Sequence, residues 1–131
     1  MDTVYEGPDR RRSPRVSAEF IVIYKVNSPI EVYMWIGKKE INAKMLDLSQ
    51  KGMAILTEYD LPVSAVLFAK FTLIDLYADK DQRVKTMEIT GEVRYNSLSE
   101  KNEHRLGIVF TKIAEEDQDA IDNFVKTATN Q

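Results

Sequence analysis

The chain has no cysteine, one histidine (His104), five glycines, four prolines and no apolar run approaching a membrane span. Without cysteine there is no disulfide framework and no thiolate metal site, and a lone imidazole cannot build a histidine-based metal site. The apolar stretches fall well short of the roughly 20 residues a spanning helix needs, and the opening MDTVYEGPDRRR lacks the apolar core of a secretory signal. A cytoplasmic chain with no membrane insertion is therefore expected. Also missing are a Gly-x-x-x-x-Gly-Lys phosphate loop and any nucleophile, base and orienter set around His104, so neither an enzyme nor a bound cofactor is expected. The net charge of -3 disfavours a general nucleic-acid binder, whose domain would be basic overall.

What is present suffices for one compact domain: 131 residues, 44% hydrophobic and 30% charged. Residues 1–16 set Arg10, Arg11, Arg12 and Arg15 against Asp2, Glu6 and Asp9, leaving a local charge of +1 (four minus three) in an acidic chain. They read as a flexible tail ahead of a domain over 17–131, with order beginning near Ala18. FIVIYKV (20–26) is dense in β-branched and aromatic residues, which suit a pleated surface better than a helix. The same signature, punctuated by NSP at 27–29 and by Gly37, predicts further extended segments at 30–37, 40–48, 53–57, 65–74, 86–95 and 105–110. Gly52 marks a hairpin between the third and fourth of these runs.

Only the last segment changes period. Ala120, Ile121, Phe124, Val125 and Ala128 recur at helical spacing, with Glu115, Glu116, Asp117 and Asp119 near the start and Lys126 near the end, as the helix dipole favours. The spacing predicts a helix over about 114–128. Strands in succession closed by one helix predict a mostly β architecture, with an antiparallel sheet curled into a barrel to remove its edges.

Two short stretches carry chemistry. PDRRRSPRV (8–16) contains Arg-x-x-x-Arg as Arg11 to Arg15, and Pro14 keeps Ser13 out of the α region. The two arginines then lie on an extended or curling loop, at most about 13 Å apart at Cα. Guanidinium pairs bidentately with phosphate oxygens or with guanine O6 and N7, and its face stacks on a base, so this loop suits a phosphorylated, purine-bearing ligand. A solvated basic tail is the bland alternative. DLSQKG (47–52) is Asp-x-Ser-x-x-Gly; on a strand Asp47 and Ser49 share a face while Leu48 points to the core. A carboxylate accepts from guanine N1–H and N2–H2, a hydroxyl donates or accepts beside it, and Gly52 suits a positive φ or a close backbone approach. Ordinary turn formation explains the same residues. Because Ile41, Ala43 and Met45 share Asp47's parity, the strand is expected to twist or bulge near Met45.

In this order the two motifs resemble the PilZ family, bacterial receptors for cyclic di-GMP. GEVRY (91–95), RLGIVF (105–110) and the apolar C-terminal helix extend the resemblance over most of the chain. It implies a six-stranded antiparallel β-barrel with a C-terminal α-helix and an N-terminal arginine loop that closes over the dinucleotide. Carried over by position, Arg11 and Arg15 hold phosphates and guanine faces or edges, Asp47 and Ser49 read a guanine, and Gly52 shapes the turn beneath it. Arg10 and Arg12 flank the first arginine of the motif, and an arginine just before the motif favours a stacked pair of ligands over one. Tyr95 stands where relatives often carry an aromatic that stacks on guanine; an ordinary strand tyrosine packed on the barrel is the competing reading. Trp35, in a segment longer than the compact hairpin expected there, reads as core rather than as a partner surface, and His104 as a loop residue. The implied role is a receptor whose ordered loop changes a surface read by an unidentified downstream protein; the alternative is a PilZ-like adaptor that does not bind the nucleotide.

Overall fold

A computed structural model describes residues 14–99 and 101–129; Arg10, Arg11 and Arg12 lie outside the described residues. The strands are β1 (Val16–Ser17), β2 (Ile21–Ser28), β3 (Ile41–Leu48), β4 (Gly52–Thr57), β5 (Val66–Ile74), β6 (Val84–Leu98) and β7 (His104–Lys112). Every pairing is antiparallel; the order β3-β2-β5-β6-β7-β4 closes where β4 returns to β3, giving a six-stranded barrel. The short β1 continues the line of β2 along β3, with Val16 opposite Leu48 and Ser17 opposite Asp47. Pairing therefore starts at Val16, two residues ahead of Ala18.

Period-2 alternation decides what lies inside. On β5, Leu67, Ala69, Phe71 and Leu73 are buried while Phe68 and Lys70 face out. Val22, Tyr24 and Val26 on β2 and Met87, Ile89 and Val93 on β6 meet them in the same core. The Tyr24 phenol is buried but satisfied, 2.7 Å from Thr57 Oγ1, and burial pushes its pKa up to about 12. Helix α2 (Glu115–Thr129) covers one end of the barrel, burying Ile121 and Val125 and setting Phe124 5.8 Å from Phe20, which stacks on Phe71 at 6.4 Å. Each fully buried aliphatic side chain is worth about 1.5–3 kcal/mol in transfer free energy.

Residues 30–37 correct the expectation of a strand. Ile30–Ile36 form helix α1, with Pro29 as N-cap, Glu31 in the first turn and Gly37 at φ 80 closing it through its N–H to the Tyr33 carbonyl at 2.6 Å. The β-branched composition misleads here; Pro before and Gly after are helix punctuation, and Val32 and Ile36, one turn apart, are what the helix turns toward the core. Trp35 is a second correction: it is 64% exposed, edge-on to Tyr59 at 5.8 Å. His104 is a third, since it opens β7 opposite Thr57 and Leu98, with Nδ1 3.0 Å from Asn96 Oδ1.

Candidate functional site

Asp47 belongs to a strand whose preceding odd-numbered residues, Ile41, Ala43 and Met45, all face the core. The pairing runs Met45 opposite Ile55, then Asp47 opposite Ala54, so Leu46 is an extra residue. This β-bulge turns Asp47 outward and sends Leu48, fully buried, inward. The same device recurs on β6. Val93 pairs with Ile108 and Tyr95 with Gly107, leaving Arg94 extra and turning Tyr95 out. Register then aligns Ser17, Asp47, Ala54, Gly107 and Tyr95 in one row across five strands. Ala54 and Gly107 form a low floor between the carboxylate and the aromatic ring, and a Cβ on Gly107 would run into the Tyr95 ring that lies over it.

Charge converges on Asp47. Arg15 Nη1 donates to its Oδ1 at 2.8 Å and Arg105 Nη2 to its Oδ2 at 3.2 Å. The pairing of β1 with β3 brings Arg15 within reach. A hydrogen bond to Tyr95, with the charge of Asp47 adding to it, holds the Arg105 guanidinium above its ordinary value against the opposing effect of burial. Arg105 thus couples electrostatically to both ends of the row.

Ser49 and Gly52 close the turn that follows. Ser49 N–H donates to the Gly52 carbonyl at 2.8 Å, and the Ser49 hydroxyl both donates to that carbonyl and accepts from Gly52 N–H, each at 3.2 Å. Gly52 serves a close approach rather than a positive φ: a Cβ there would strike the Ile108 carbonyl of β7. The turn is also tied to its neighbours, through Phe110 N–H to the Lys51 carbonyl and Gln118 Nε2 of α2 to the Gln50 carbonyl, both 2.8 Å.

Of the residues singled out in the sequence, Arg15, Asp47 and Tyr95 lie on this one face; Ser49 and Gly52 are buried in the turn just beyond it, so Ser49 does not share an open face with Asp47. Arg105 was missed. Its signal lay in RLGIVF, where Leu106 and Ile108 are apolar and alternate, so Arg105 and Gly107 must face outward. Among the described residues no group of three or more His, Asp or Glu could hold a metal ion, and no helix is long and apolar enough to cross a membrane.

Fold and site together define a closed antiparallel β-barrel domain, capped by a helix, with an arginine–carboxylate cluster turned out by two bulges. The particular family is PilZ: the PilZ domain profile matches residues 9–127, and the chain belongs to that family. No curated protein sequence matches the chain. Among solved structures it is similar to the Bacillus subtilis inhibitor of motility MotI/DgrA, with TM-score 0.71 and 17% identity over 92% of this chain and 52% of that one. It is also similar to the PilZ domain of YcgR from Escherichia coli, solved with c-di-GMP, with TM-score 0.55 and 18% identity over 92% of both chains. The K. pneumonia MrkH–c-di-GMP complex matches with TM-score 0.61 and 14% identity over 92% of this chain and 52% of that one. At these identities the likeness is one of fold, and the chain spans about half the length of MotI/DgrA and MrkH.

Proposed function

We propose that this chain is a cytoplasmic cyclic di-GMP receptor whose output is a changed surface rather than a catalysed reaction. The observation that carries the reading is Asp47, held outward between Arg15 and Arg105 on a PilZ barrel. The ligand offers what these groups bind: phosphates for guanidinium, and guanine N–H donors for the carboxylate. Without ligand, Arg15 neutralises Asp47. When a phosphate arrives, Arg15 turns to it, and the freed Oδ1 accepts from guanine, one charge-assisted bond exchanging for another.

Arg105 stays with Asp47 and Tyr95 and keeps the carboxylate aimed outward. Ser49 holds the 49–52 turn and offers the remaining capacity of its hydroxyl to the guanine edge, while Gly52 lets that turn pack against β7. Tyr95, flat over Gly107, supplies a stacking face worth about 1–3 kcal/mol per base. The segment over 1–16 closes over the ligand: Arg11 joins Arg15 on phosphates and guanine faces, and Arg10, with Arg12 beside it, favours a stacked pair. Closure is coupled ordering and binding, and the closed face is what a downstream protein reads.

The reading is supported by family membership and by two PilZ-fold neighbours solved with c-di-GMP. Titration calorimetry with cyclic di-GMP tests it. The wild-type chain should bind, and Arg15→Ala should lose most of the affinity while melting at the wild-type temperature. Absence of heat from the wild-type chain would leave the nucleotide-free adaptor as the better reading.

A further inference from the structure

The opposite side of the barrel carries a second surface that the arginine–carboxylate site does not use. On β2, β5 and β6 no bulge interrupts the β5–β6 pairing, and the outward positions are unusually apolar: Ile21, Phe68, Ile74 and Val84 are 61%, 49%, 47% and 65% exposed. An outward face of an antiparallel sheet is ordinarily polar, and clustered exposed apolar residues mark a surface that meets something. A groove of about 660 Å³ crosses this face at Phe68, and a second of about 470 Å³ joins it through the shared Ile23 and Lys70. Cross-strand register places Lys25 directly opposite Phe68, with Thr90 and then Lys112 in the same row, and Lys70 two residues along β5. Among the described residues none of these three lysines is in an ion pair, and with Glu40 and Glu88 they leave the groove at +1 (three minus two) in a chain of net charge -3.

The chain itself presents a segment of complementary chemistry. The connection over 75–83 displays Leu76 and Tyr77, 73% and 72% exposed, ahead of Asp79 and Asp81 with Lys80 between them. It is a shaped loop. The buried Asp75 accepts from Tyr77 N–H at 3.1 Å and donates its own N–H to the Arg83 carbonyl at 2.8 Å, while Arg83 Nε donates to the Ala78 carbonyl at 3.2 Å. This loop cannot reach its own groove, because Phe68 and Ile74 lie on one extended strand about 20 Å apart at roughly 3.3 Å per residue, and the loop continues away from it.

We propose that the occupant is a second copy of this chain, docked face to face and antiparallel, so that each 75–83 loop lies in the Phe68 groove of the other copy. Thr72, midway between Phe68 and Leu76, falls near the two-fold axis, and Ile21, Ile74 and Val84 of both copies meet around it. Such an interface is self-complementary: Leu76 and Tyr77 meet Phe68 and Ile23, and Asp79 and Asp81 meet Lys25, Lys70 and Lys112. It leaves the Asp47 face open, so dimerisation and ligand binding are separate properties of one barrel.

Sedimentation velocity over a concentration series tests this with two reversed chains, Lys25→Glu/Lys70→Glu and Asp79→Lys/Asp81→Lys. The wild type should show a concentration-dependent dimer, and each reversed chain alone should dimerise at least roughly tenfold more weakly. An equimolar mixture of the two reversed chains should recover the dimer, because both loop-to-groove contacts then pair opposite charges; recovery also excludes misfolding as the cause of either loss. Phe68→Asp should abolish association. A wild-type chain that is monomeric at every concentration, as expected of a surface made for a different partner, overturns the proposal, and so does a mixture that stays monomeric.

Discussion

Two outer faces of the same barrel are built differently. On β3, β4, β7 and β6 the bulges at Leu46 and Arg94 take residues out of the inward series and expose a carboxylate and an aromatic ring across a floor of Ala54 and Gly107. On β2, β5 and β6 the alternation of β5 runs unbroken, and the outward positions carry Ile21, Phe68 and Ile74 with lysines around them. The bulged face concentrates charge-assisted hydrogen bonds on one small point. The face built on β5 spreads apolar area. Directional groups at a point suit a small polar ligand, and spread apolar area with a charged rim suits a macromolecular surface.

Substitutions can separate the two faces. The largest effect expected is at the bulge: Asp47→Ala should weaken cyclic di-GMP by about 100-fold or more in calorimetry, because it strands guanine donors and leaves Arg15 and Arg105 without their acceptor. Next is a change that strikes both faces at once, through the interior they share. The folded pKa of Tyr24, about 12, lies above its ordinary 10.0, so the fold favours the neutral phenol; that contribution is full below pH 10 and lost as the pH rises to about 12. Denaturation followed over that window should show a loss of about 2 kcal/mol, and Tyr24→Phe should remove most of the slope while costing about 1 kcal/mol at neutral pH through the lost Thr57 bond. Smaller again, Gly107→Ala should push the Tyr95 ring off its floor and weaken the ligand about tenfold, with the effect absent in a Tyr95→Ala background. Smallest of all, the Lys25→Glu/Lys70→Glu chain should keep its nucleotide affinity within about twofold, since exposed charges beyond a screening length of about 8–10 Å count for little. A large loss of nucleotide affinity there would merge the two faces into one.

The bulge at Leu46 was legible because a charged residue, Asp47, sat in a series whose other members were apolar. The conflict announced itself. The bulge at Arg94 was silent for the opposite reason: Tyr95 follows Met87, Ile89 and Val93 at the same parity and is itself a plausible core residue, so nothing in the alternation marked it as turned out. Six of the seven expected extended segments are barrel strands: β5 alternates with a clean period of two because one side is buried, while β4, buried at nearly every position, shows itself through its apolar composition and the Gly52 turn before it. The seventh is α1, because seven residues make too few turns for a helical period to show, and Pro29 and Gly37 bracket strands as readily as helices. Gly52 and Arg105 depend on contacts between β4, β7 and β3 that are distant in sequence, so their partners could not be seen before the barrel closed.

The central claim is that the bulged face binds cyclic di-GMP through Asp47 and Arg15. One calorimetric titration series tests it most directly, with wild-type, Arg15→Ala and Asp47→Ala chains measured side by side. The account predicts saturable binding to the wild type, with two ligands per chain if they enter as a stacked pair, and loss of most of the affinity in both variants. Wild-type affinity retained in either variant, or no binding by the wild-type chain, would contradict it.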